Sequence, residues 1–264
     1  MGGSLPHLLD MMMNTDSETY LGIDPTAGSS AYTWAALDER GHLLVLEAGE
    51  QDEVLAYVQQ HKPVQVALNA PSQTNQGVVR KRLMHENPGL NPRGADLRLC
   101  EYELRERGIH VPPTPSRLEI CPAWIQMGIN MHAELAKLGY RHNDKANPQQ
   151  MMEVNSHAIF CSLLQQVPLP KPTLEGRIQR QLVLHEFGVG MVDPMDFFEE
   201  ITRHRILRGS LPMDYVYSPQ ELDALAAAFA AWSVKQHPEE VTIIGDVEEG
   251  QILLPVSGII ESYR

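Results

Sequence analysis

The chain is poor in cysteine, in basic residues and in long apolar runs, and it lacks the common catalytic signatures. Its three cysteines, Cys100, Cys121 and Cys161, form no metal-ligand spacing and no even set, which suits reduced, partly buried thiols in a cytoplasmic protein. Lysine and arginine number 21 against 34 acids, for a net charge of -13. That balance counts against a protein that coats nucleic acid by bulk electrostatics, though not against an enzyme with a local basic groove. No apolar run approaches a membrane span. The N-terminus shows no charged region followed by an apolar stretch, so no secretory signal is expected. No HExxH, GxSxG, Walker loop or GxGxxG occurs, and Gly188-Val189-Gly190 is too short to count. A zinc protease, an elbow-type hydrolase, a P-loop enzyme and a nicotinamide enzyme are therefore disfavoured.

What is present is a 43% hydrophobic chain of 264 residues, enough for a real core. Residues 1–18 read as a loose leader and 19–264 as one domain. Tyr20-Leu21-Gly22-Ile23-Asp24 reads as a first strand, Tyr32 to Leu37 as a second and His42 to Glu47 as a third, joined as an antiparallel meander. Gly41 sits where the second hairpin needs positive φ. Asp52 to His61 carries Val54, Leu55 and Val58 on one face and reads as a helix. Val64 to Leu68 then returns as a strand parallel to the first by a right-handed crossover.

A helical insertion over about 71–150 is expected next. It begins with a long polar loop, Pro71 to Arg93, followed by helices at Ala95 to Arg107 and Trp124 to Leu138. Met151 to Val154 reads as a fifth strand. Helices are expected at Ser156 to Gln165, Leu174 to Phe187, Pro194 to Leu207 and Pro219 to Ser233. A closing hairpin turns at Glu249-Gly250.

Asp24 is the first chemical candidate, because a carboxylate at the carboxyl end of a buried strand faces the crevice where open α/β sheets bind ligands. An Asp before such a turn also suits an Asx turn. Asn69 ends the fourth strand, Glu153 the fifth, and Asp223 lies one turn into an alanine-rich helix. Glu153 also suits an exposed strand end, and Asp223 a helix dipole. Converging, these oxygen donors read as a Mg²⁺ or Mn²⁺ site. Ser218, Pro219 and Glu221 have the pattern of a capping box ahead of Asp223. Basic groups suited to phosphate are Arg80, Arg93, Lys171 and Arg177.

The chain resembles the DUF429 family, described as predicted nucleases of ribonuclease H-like fold. The resemblance rests on Gly22-Ile23-Asp24, Asn69-Ala70-Pro71-Ser72, Arg98-Leu99-Cys100-Glu101, Glu153-Val154-Asn155-Ser156, Lys171-Pro172-Thr173-Leu174-Glu175-Gly176-Arg177 and Asp223-Ala224-Leu225-Ala226-Ala227-Ala228. It implies an α/β, ribonuclease H-like mixed sheet of order 3-2-1-4-5 flanked by helices. It also implies metal-dependent phosphodiester hydrolysis. Asp24 would bridge two ions, Asp223 would be the C-terminal ligand, and Glu153 (or Glu101) would add a carboxylate. Asn69 stands where the family has an acid. Asn69 and the acidic charge also suit a binding or regulatory protein on the same fold, or a hydrolase of a small phosphate ester or nucleotide.

Overall fold

A computed structural model describes residues 18–26, 31–86, 94–142 and 146–264. Residues 1–17 of the expected leader 1–18, and Arg93, lie outside them. The protein is a mixed α/β fold built on one sheet flanked by helices. Strands β1 (Tyr20–Pro25), β2 (Tyr32–Leu37) and β3 (Leu43–Gly49) form the expected antiparallel meander. Gly41 has φ 79° at its second turn, a conformation that costs a glycine little. Helix α1 (Gln51–His61) crosses over, and β4 (Gln65–Leu68) returns parallel to β1.

The sheet is larger than the five-stranded 3-2-1-4-5 expected. Its order is β3-β2-β1-β4-β6-β8-β7, with β6 (Gln150–Val154) parallel to β4. The two-residue β5 (Arg141–His142) pairs alongside β6. The closing hairpin, β7 (Thr242–Asp246) and β8 (Gly250–Leu254), is no appendage: β8 pairs parallel to β6 and extends the sheet. An edge strand satisfies its backbone groups by taking another partner.

The insertion holds one helix more than expected, because α2 (Val78–Glu86) forms within the polar stretch read as loop. Helix α3 (Leu99–Glu106) starts four residues later than expected, since Gly94 to Leu97 make a turn and Arg98 is extended at φ -66°, ψ 157°. Helices α4 (Ala123–Lys137), α5 (Ser156–Leu164) and α6 (Leu174–Glu186) fall where the apolar spacing placed them. The expected helix over Pro194 to Leu207 is two pieces, α7 (Asp196–Glu199) and α8 (Arg203–Leu207). Thr202 breaks it by turning extended and accepting a hydrogen bond from the Arg205 N–H as N-cap. Helix α9 (Pro219–Gln236) carries the expected capping box, Ser218 with Glu221.

The pleat of β1 divides the core. Leu21 and Ile23 pack with Val54, Val58, Val66, Leu68, Met131 and Leu135, so α1 and α4 cover that face. Tyr20 belongs to the other cluster, with α9, α5 and the terminal hairpin. Gly22 lies on this second face, where a Cβ would stand 2.1 Å from the Ala228 nitrogen and 2.2 Å from the Ala224 oxygen. The glycine lets α9 rest backbone-to-backbone on the central strand. The small side chains of Ala224, Ala227 and Ala228, all fully buried, complete that approach.

Candidate functional site

Side chains alternate along a strand, so Asp24 points to the same face as Gly22, two residues back. Asp223 is one residue before Ala224, which touches the Gly22 position. The close seating of α9 thus sets Asp223 against Asp24, at the carboxyl end of the sheet. Both carboxylates are buried, and they line a pocket of about 310 Å³ with Asn69, His157, Lys171 and Trp124.

Three contacts organise this floor. Asn69 donates from Nδ2 to Asp24 Oδ1 at 2.7 Å, and its Oδ1 accepts the Ser156 N–H at 2.7 Å. Lys171 Nζ pairs with Asp223 Oδ2. The lysine side chain is 42% exposed against 6% for Asp223, so the cation comes in from the solvent side. Burial first, and then the Asp223 charge, push the Asp24 carboxyl well above the usual carboxylate range, while the Asn69 hydrogen bond and Lys171 oppose the shift. Two buried acids sharing one nearby ammonium leave the floor short of positive charge.

The backbone on either side of Lys171 is fixed by its surroundings. Its connection lies against α6, where a Cβ on Gly176 would meet the Pro170 oxygen at 2.1 Å. Arg180 Nη1 donates to Leu169 O and to Gly176 O, each at 2.8 Å. Thr173 Oγ1 donates to Pro170 O at 2.9 Å and caps α6 by accepting the Gly176 N–H at 3.0 Å.

Glu153 is not part of the Asp24–Asp223 pair. It is in register with Leu68, which is level with Ile23. It therefore stands one residue short of Asp24 and on the opposite pleat. Its partner is the buried Arg98, with Nη2 to Oε1 at 2.6 Å and Nη1 to Oε2 at 3.1 Å. Ser72 adds its N–H at 2.7 Å and its hydroxyl at 2.8 Å. Arg98 Nε also donates to Glu101 at 2.8 Å, and Glu101 accepts the Thr114 N–H at 3.1 Å. Glu249, fully buried, accepts the Gln76 N–H at 3.1 Å and the Leu99 N–H at 2.5 Å. One carboxylate thereby serves the starts of both α2 and α3. This network braces the wall of the pocket, with the Arg98 guanidinium and several N–H and hydroxyl donors satisfying its buried carboxylates.

The other basic candidates lie apart from the pocket. Arg80 is exposed on α2, in a separate shallow depression with Lys81. Arg177 is spent on the backbone ahead of α9, donating to Tyr217 O and Val216 O at 2.6 Å each. Sequence reasoning passed over Arg98 as the organising cation and His157 as a pocket residue. Arg98 had one local signal, the N-cap position with Glu101 three residues on.

Among the described residues no three His, Cys, Asp or Glu side chains gather as a metal-binding group. None of the helices among them is long and apolar enough to cross a membrane. A family model described as "Protein of unknown function (DUF429)" matches residues 22–249. No curated protein matches the chain, and no solved structure does.

Proposed function

The chain belongs to the DUF429 family, and from its crevice we propose divalent-metal-dependent hydrolysis of a phosphodiester on a ribonuclease H-like core. The antiparallel trio β3-β2-β1 followed by parallel β4 and β6 supports that reading of the core. The carrying observation is the apposition of Asp24 and Asp223, two buried acids from different elements with too little positive charge beside them.

The donor set fits a hard cation. Mg²⁺ is commonly held by one or two carboxylates, with substrate phosphate oxygens and waters completing its shell. Asp24 and Asp223 would supply the carboxylates. The Asn69 carbonyl, which keeps a lone pair beyond the one the Ser156 N–H uses, would supply a neutral donor. A bound Mg²⁺ or Mn²⁺ supplies activation of water and stabilisation of the leaving oxygen.

The chain's own groups do the rest. Asn69 keeps the Asp24 carboxylate turned into the pocket. Lys171 guards Asp223 and is exposed enough to swing to a phosphate oxygen. The Arg98–Glu153–Glu101 network keeps the wall rigid, its carboxylates held by Arg98. A volume near 310 Å³ admits a small phosphate ester, a nucleotide or a strand end rather than a duplex, consistent with the acidic net charge.

Calorimetric titration of Mn²⁺ into the protein and into Asp24→Ala tests the site, followed by cleavage assays on DNA, RNA and small esters. Micromolar binding lost in the variant, with metal-dependent cleavage, supports the reading. Absence of both counts against it. The Lys171–Asp223 ion pair favours a second reading, a binding protein in which the ammonium stands permanently where the cation would be. Saturable binding of a phosphorylated ligand without turnover would support that reading.

A further inference from the structure

The titratable groups lining the pocket are nearly all committed to partners. Glu101 and Glu153 belong to Arg98, Asp223 to Lys171, and Asp24 to the Asn69 amide. His157 is the lining group outside these pairs. It sits in the first turn of α5, directly after β6, where Asn155 Oδ1 caps the helix by accepting the Ala158 N–H at 2.9 Å. Its Nε2 lies 3.8 Å from Cys161 Sγ, one helical turn on. In the tautomer whose Nε2–H donates to that sulfur, Nδ1 is the nitrogen that can accept a proton from a bound ligand.

Resting on the hydrolytic reading above, we infer that His157 is the general base that takes a proton from the attacking water. As the water oxygen forms its bond to phosphorus, His157 accepts one water proton. The phosphorus–oxygen bond of the ester breaks, and the leaving oxygen departs with the electron pair. The charged and titratable groups facing the imidazole are Arg180 from α6, Lys171 from the α5–α6 connection, His110 from the segment after α3, Asp223 from α9 and Cys161 on its own helix. Burial first, then Arg180, Lys171 and His110, lower its proton affinity, and Asp223 opposes them. These surroundings favour the neutral ring, the form a base requires.

Bis(p-nitrophenyl) phosphate with Mn²⁺ isolates this step, because nitrophenolate leaves without needing a proton. Hydrolysis is followed from pH 5 to 9 for the wild type, His157→Gln and His157→Ala, with folding of each checked by circular dichroism. The wild-type rate should fall as pH drops through the imidazole pKa. His157→Gln should lose about 100-fold or more in kcat, in the range for general bases, and lose that acid limb. Imidazole in solution should restore part of the His157→Ala rate. A folded His157→Gln that keeps both the rate and the acid limb overturns the assignment while leaving the hydrolytic reading intact. A wild type that binds Mn²⁺ yet never turns over overturns the hydrolytic reading, and this assignment with it.

Discussion

Asn69 hydrogen-bonds Asp24 across the β1–β4 pair, Nδ2 to Oδ1 at 2.7 Å, while its own Oδ1 takes the Ser156 N–H at 2.7 Å. The second bond settles the orientation of the amide. With the oxygen committed to a backbone donor, the NH₂ must face the acid. Asn69 therefore joins the ends of β1 and β4 to the start of α5, and it stabilises the ionised form of a carboxylate that burial works against.

Asn69→Asp should remove that donor and add a third acid to the floor. Without metal the variant should be less stable than the wild type at pH 7 by about 1–3 kcal/mol, the cost typical of a lost buried hydrogen bond to a charged group. The added carboxylate should tighten Mn²⁺ binding, because affinity follows ligand charge. Urea unfolding and calorimetry on the same preparation check both directions.

Asp24→Asn should stabilise the protein at neutral pH. The folded-state pKa of Asp24 is raised, so its contribution to stability is fully present below the unfolded-state pKa and is lost as pH rises through the folded-state value. Wild-type unfolding free energy should therefore contain a component that improves as pH is lowered from neutrality, and the variant should lack it. An increase of about 1 kcal/mol corresponds to roughly 2–4 °C in Tm for a domain of this size. Urea titrations between pH 5 and 8 on both proteins measure the difference.

Glu153→Gln separates a bracing role from a ligand role. Removing one partner of a buried ion pair typically costs about 3–5 kcal/mol, and here it strips Arg98 of a 2.6 Å partner. A large loss in unfolding free energy, with Mn²⁺ affinity kept by the fraction that remains folded, is the expected result. Loss of Mn²⁺ binding at unchanged stability would instead make Glu153 a ligand.

Gly22→Ala tests how the two acids are brought together. The added methyl would meet backbone atoms of α9 at 2.1 and 2.2 Å, and backbone yields less than a side-chain tip. Overpacking of this kind costs about 1–3 kcal/mol or more. The helix should lift from β1 and carry Asp223 with it. A Tm loss together with weakened Mn²⁺ binding is expected, whereas Gly188→Ala, with nothing within 4 Å of its added Cβ but φ 91°, should cost stability alone.

The meander, the crossover helix, β4, the capping box of α9 and the strand-end position of Asp24 were all legible along the chain. Each depends on neighbours within a few residues: alternation, a Gly at positive φ, or a Ser-Pro-x-Glu start. What depended on distant partners was not legible. Helix α2 is polar, and its start is served by Glu249, 171 residues away from Val78, so no local cap announces it. The terminal hairpin reads as a hairpin, but only the open edge of β6 makes it part of the sheet.

The candidate site divides in the same way. That Asp24 and Asp223 are acids near element ends is a property of the sequence, and so is the run of small residues after Asp223. That the two meet is decided by the seating of α9 on Gly22. Glu153 looked equivalent to Asp24, since both end strands. The register places it level with Ile23 instead, and a one-residue offset in a strand reverses the face on which a side chain emerges. Burial then commits it to Arg98, because a carboxylate taken out of water needs its counter-charge at hand. Local composition chose the elements and the residue types, whereas sheet register and helix packing chose which of those residues face one another in the pocket.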